Sequence, residues 1–158
     1  KSIIEETVTN MRTIADDILI ISMAMLIGYF ATRTGAFTAL FSSLYDGIIP
    51  GWFALIATPL GMMLASIFGV HPVISSTVFL AVFSSGHADV HPALLMQAHL
   101  IGWGAGTMSS VASLSVIMGA RLFRVRSRDL VLGVNLLAAF SYALVGGIAL
   151  SFINITIF

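Results

Sequence analysis

GVHPVISST at residues 69–77 and GWGAGTMSSVAS at residues 102–113 decide how this chain is read. Each sets Gly or Pro beside hydroxyl side chains in the middle of a stretch that is otherwise apolar enough to enter a bilayer. Backbone that leaves the helix at membrane depth exposes N–H and C=O groups to a solvent that cannot satisfy them. Such a break therefore survives only where it lines a cavity or a site. Two breaks in one chain point to a transporter.

Composition sets the expected solvent. Of 158 residues, 58% are hydrophobic and 9% charged, and the mean hydropathy is +1.04. A soluble surface needs roughly 25–35% charge, so an integral membrane protein is expected. No charge lies between Asp46 and Asp89, between Asp89 and Arg121, or after Asp129. Each gap holds at least one span of about 20 residues. The absence of cysteine removes disulfide, zinc-thiolate and thiol chemistry. No G-x-x-x-x-G-K-[ST] loop occurs, which argues against ATP-driven transport by this chain. Neither an enzyme activity nor a nucleic-acid partner is expected. The chain opens on Lys-Ser-Ile-Ile, and its first dozen residues are too charged for a signal-peptide core. A fragment, a processed chain or one half of a larger transporter is the expectation.

The expected fold is an all-α membrane protein forming a single transmembrane domain over residues 1–158. Residues 1–14 read as an interfacial amphipathic helix. Residues 15–31 form a first span, with Asp16 and Asp17 in its first turn, where they complement the helix dipole. Phe37, Leu40, Phe41 and Leu44 at helical spacing make 34–47 a second interfacial helix. Residues 51–86 are one apolar block of about 36 residues, punctuated by Pro59, Gly69 and His71-Pro72. Two full spans and a turn want about 40, so a re-entrant helical hairpin fits better than two complete spans. Residues 91–123 are too long for one straight span. They read as a discontinuous helix that unwinds at Gly102, Gly104 and Gly106 ahead of Thr107, Ser109, Ser110, Ser113 and Ser115. Residues 130–153 form the last span.

Arg121, Arg124, Arg126 and Arg128 lie in a short loop, which the positive-inside rule assigns to the cytoplasm. Residues 86–91 and the C-terminus then fall outside, and the first span runs from inside to outside. A bacterial inner membrane is the expected location.

Half-helix N-termini offer free N–H groups to an anion, and exposed carbonyls at C-terminal ends suit a cation. Ser75, Ser76 and Thr77 on the returning arm, with Thr107, Ser109 and Ser110 at the second break, are the candidate substrate- and ion-binding residues. The competing reading is that these small residues allow close packing and bond back to their own helices. His71 is a titratable side chain in a charge-free block, and in a membrane that is functional by default. It would exchange a proton or help bind a carboxylate; the alternative is a capping or interface histidine. His87, Asp89 and His91 spell H-x-D-x-H, a weak metal candidate. The favoured reading of GHADVHP is a polar loop with Pro92 at a helix start, so no metal or other cofactor is expected. His99 is expected to face protein, with a proton-path role as the lesser alternative.

The sequence of elements (a span, a hairpin with Ser75-Ser76-Thr77 past its tip, a broken helix with Gly-Thr-Met-Ser-Ser at its break, a final span) resembles one inverted repeat of the ion transporter superfamily. That superfamily includes the divalent-anion/sodium symporters and the large membrane subunits of TRAP transporters. The symporters typically carry Ser-Asn-Thr at each hairpin tip, where this chain has Ser75-Ser76-Thr77. With its C-terminus outside, the chain looks like the second repeat. The resemblance implies a secondary active transporter half moving a small organic anion such as a carboxylate, coupled to Na+ or H+. Its partners would be the bilayer, the anionic substrate and a second half-transporter chain or another copy of itself. Two alternatives are a non-catalytic membrane subunit of a larger complex and, less favoured, a membrane metalloenzyme built on His87, Asp89 and His91.

Overall fold

A computed structural model of the chain describes residues 11, 18, 19, 22, 23, 26, 29, 30, 33, 34, 39, 47–83, 88–111 and 113–158. The expected interfacial helices at 1–14 and 34–47 and the span at 15–31 lie almost wholly outside these residues. Among the described residues the chain is all-helical, with no strand beyond an isolated bridge between Ile49 and Ala88.

The main elements are α1 (Gly51–Ile67), α2 (Pro72–Phe83), α3 (Pro92–Ser109), α4 (Leu114–Phe123), α5 (Ser127–Leu130) and α6 (Leu136–Ile157), with a kinked turn over Val131–Asn135 between the last two, where Gly133 leaves helical geometry at φ −93°, ψ −139°. Local chemistry sets several boundaries. α1 ends where Gly69 adopts φ +82°, with Val70 N–H donating to the Ala65 carbonyl and Gly69 N–H to that of Ser66. This pair of bonds closes the C-terminal carbonyls in a Schellman motif, whose left-handed residue is cheapest as glycine. α2 and α3 open alike, on His71-Pro72 and His91-Pro92. Proline at the first helical position loses nothing, because its N–H would have no partner there. The preceding histidine ring accepts the next free N–H, Val73 at 3.2 Å and Ala93 at 3.3 Å.

α1 packs on both α3 and α6, which also pack on each other, and α2 lies against α1 and α3. α1 and α3 run parallel, and α6 runs antiparallel to both. Gly102 lies against Pro59 and Met62, Gly106 against Ser66, and Gly147 against Leu55 and Ile56. A Cβ at Gly102 would sit 2.7 Å from Met62 Sδ and 3.0 Å from Pro59 Cα; one at Gly106 would sit 2.6 Å from Ser66 Oγ. Pro59 has no N–H for the Leu55 carbonyl four residues back. α6 approaches at that turn, a Cβ at Gly147 lying 3.0 Å from Leu55 O.

The glycines therefore do not unwind α3. Gly102, Gly104 and Gly106 all stay helical, and the interruption falls at Ser110–Ser113, past their C-terminal side. Low helix propensity at glycine is a weak prior, and the close approach of α1 and α6 overrides it. The last helix runs to Ile157 rather than ending at 153.

Large apolar side chains cover the outside. Leu137, Val145, Ile148, Phe152 and Ile155 on α6, with Met96 and Leu100 on α3, are all exposed. Two stretches, Pro92–Phe123 counted across its interruption and Ser127–Ile157, are long and apolar enough to cross a bilayer.

Gly102→Leu is expected to destabilise the bundle by about 1–3 kcal/mol, the usual cost of overpacking. Gly69→Ala, with open space around it but a left-handed φ, should cost about 1–2 kcal/mol. Thermal unfolding followed by circular dichroism in detergent ranks the two.

Candidate functional site

The turn between α1 and α2 and the interruption after α3 adjoin. The Ser66 hydroxyl and the Pro72 ring both lie beside Gly106, the Pro72 Cγ 3.4 Å from where its Cβ would be. Ser109 Oγ donates to the Met63 carbonyl at 3.4 Å. The His71 ring meets Trp103 edge-on, with centroids 6.1 Å apart. One level of the bundle thus holds both polar interruptions, about 25 Å along α1 from Gly51 at 1.5 Å per residue.

Each candidate hydroxyl with a described bond donates within its own helix. Ser75 Oγ donates to Pro72 O at 3.2 Å, Thr77 Oγ1 to Val73 O at 2.7 Å and Thr107 Oγ1 to Gly104 O at 2.9 Å. Ser109 Oγ also reaches Gly106 O at 3.3 Å. Ser75, Ser109 and Ser110 are buried; Ser76, Thr77 and Thr107 are half-buried. A hydroxyl that spends its proton on the preceding turn keeps only lone pairs for a ligand. These oxygens are therefore available to a cation more than to an anion.

The helix N-termini are capped from within. Val73 N–H is taken by His71 Nδ1 and Ile74 N–H by the His71 carbonyl. At α4 the cap is Ser113, whose Oγ accepts from Val116 N–H at 3.3 Å and donates to the Thr107 carbonyl at 2.6 Å. Ser113 thereby joins the end of α3 to the start of α4. Its place after Gly-Thr-Met-Ser-Ser and three residues before a valine N–H is the ordinary N-cap signal.

Asp89 and His91 lie at the opposite pole. There Asn154 Oδ1 accepts from His91 N–H at 3.0 Å, and Asn154 Nδ2 donates to the Asp89 carbonyl at 3.2 Å. The His91 ring stacks on Phe158, with centroids 3.8 Å apart. A cleft of about 650 Å³ opens here, lined among others by Pro50, Trp52, Asp89, His91, Asn154 and Phe158. His87 lies outside the described residues. Among those described, no three His, Asp or Glu side chains gather as a metal would require. Asn154 carried no signal in the local sequence, because both its partners are more than sixty residues away.

His99 is 6% exposed. Its Nδ1 lies 2.7 Å from the Leu95 carbonyl oxygen and its Nε2 3.2 Å from that of Ser76 on α2. Among the described residues no buried side-chain nitrogen or oxygen lacks a partner.

Ser113→Ala is expected to cost about 1 kcal/mol through loss of the cap, lowering the unfolding midpoint, while exposed Ser115→Ala stays near wild type. Comparison with protein-family models, with curated proteins and with solved structures finds no match for this chain.

Proposed function

We propose that this chain is the membrane-embedded half of a secondary active transporter, moving a small organic anion such as a carboxylate with Na+ or H+ as the coupling ion. The observation that carries the reading is that the two interruptions lie at one level of the bundle, since the helix ends that flank them meet: Gly106 against Ser66 and Pro72, with Ser109 bonded to Met63. Unwound backbone from two helices at one level is the arrangement by which discontinuous helices build a substrate and ion site. The outward-facing apolar side chains suit lipid, and the similarity to the second inverted repeat of the ion transporter superfamily implies a re-entrant hairpin over 51–86. On this reading the Arg121–Arg128 loop is cytoplasmic. The pole holding Gly51, Asp89 and Phe158 then faces outside, in a bacterial inner membrane. The lone pairs of Ser75, Thr77, Thr107 and Ser109 favour a cation at the breaks. An anion would have to displace the His71 imidazole from Val73 N–H.

A second reading, a non-catalytic subunit of a larger assembly, draws support from the same hydroxyl bonds. Ser75, Thr77 and Thr107 each donate to a carbonyl of their own helix, and Ser109 has Gly106 O on its own helix as well as Met63 O on α1.

Uptake of labelled dicarboxylates into vesicles, with Na+ and H+ gradients imposed separately, separates the two. The transporter reading expects gradient-driven uptake by the chain with its partner half, reduced about tenfold or more in Ser76→Ala, Thr77→Ala and Thr107→Ala, a loss of about 1.4 kcal/mol. Full uptake in all three variants favours the subunit reading. No uptake under either gradient, with no copurifying partner, overturns the transporter.

A further inference from the structure

We propose that His99 is a proton-binding site, and that its bound proton latches α2 onto α3. A neutral imidazole carries one N–H and one bare nitrogen; only the imidazolium donates from both. Both His99 nitrogens face carbonyl oxygens, which can only accept: Leu95 O at 2.7 Å on its own helix and Ser76 O at 3.2 Å on α2. A neutral ring satisfies one of these and turns a lone pair on the other. The doubly protonated ring satisfies both.

The contrast with the other described histidines is sharp. His71 and His91 each accept a backbone N–H at Nδ1, which requires that nitrogen to be bare. One chain thus holds two histidines in an acceptor geometry and one in a double-donor geometry. His99 is also the buried one of the three.

Among the described residues of the helices around it, no carboxylate stands by to pair with the proton. α1 and α2 carry no titratable side chain. α6 contributes Tyr142, which lies against Gly104. His71, ahead of α2, is engaged with Trp103. α3 itself adds His91 at its cap, and α4, which follows it, adds the exposed Arg121. The two carbonyl dipoles do the work that a counter-ion would do. Loss of the proton removes one of the hydrogen bonds, and the Ser76 bond is the one that crosses between helices. With a single N–H kept by the shorter bond to Leu95 O, α2 is held while both ring nitrogens carry a proton and released when only one does. The site's use in transport rests on the reading above; the proton and the latch do not.

The test uses the full chain, 15N-labelled at histidine, in phosphatidylcholine vesicles, with His99 assigned from the spectrum of His99→Gln. The expected result is two protonated ring nitrogens at His99 while His71 and His91 each keep a bare Nδ1. A single N–H at His99 at every pH where the chain stays folded overturns the site. The latch is read from spin labels at Val78→Cys and Met96→Cys, clean positions in a chain with no cysteine of its own. Their separation should be narrow with the proton on and broaden as it is lost, a change absent from His99→Gln. A separation unchanged through proton loss overturns the latch. Failure of the uptake experiment would leave both readouts standing, so the transporter and the proton site fall separately.

Discussion

Backbone contact between helices is the constraint on which the rest of this structure depends. α3 meets α1 through Gly102 and Gly106, and α6 meets both through Gly146 and Gly147, at distances where a single added carbon would collide. At these distances the missing side chain of glycine lets dispersion contacts form along the whole backbone. That packing fixes the level of α3 along α1. It thereby brings the turn after Ile67 beside the interruption after Ser109. Nothing in either polar segment alone would place them together.

Polar groups inside this bundle are satisfied first on their own helix, and a few also reach across to another. Thr58 and Ser66 on α1 bond to Ala54 and Met62, one turn back. Ser151 on α6 does the same to Gly147 at 2.7 Å while also reaching the Trp52 carbonyl at 3.3 Å. The helix starts at His71-Pro72 and His91-Pro92 use a ring nitrogen where Ser or Asp is the commoner cap. Asn154 spends its acceptor on His91 and its donor on Asp89, fastening the start of α3 to the end of α6. The polar residues of this chain hold helices in register before they hold anything else.

Helix starts and stops were legible in the sequence because their causes are local. Pro72 and Pro92 announce N-termini through a fixed φ, and Gly69 announces a C-terminus through the left-handed conformation it tolerates. The GWGAG run misleads for the opposite reason. Glycine reads as a break when only the strand of sequence is visible, yet its missing side chain is what another helix needs in order to approach. Local reading located the hydroxyl clusters correctly in the chain but left open whether they faced a ligand or their own backbone. That choice is made by χ1 and by neighbouring turns. Asn154 and the second carbonyl facing His99 were beyond local reading altogether, since each depends on a partner brought close only by the fold.

The kink at Gly133 has a consequence for the final helix. Its φ of −93° and ψ of −139° lie outside the helical region, so Val131–Asn135 joins two helices at a bend and does not carry one helix through. Ala139, Ala143, Gly147 and Ser151 lie buried along one seam of α6 at four-residue spacing, and Val131 is buried ahead of the bend. The bend uncouples direction from burial: the short helix that carries Arg128 keeps Val131 buried at its C-cap and the long helix of the bundle keeps its seam, without the two sharing an axis.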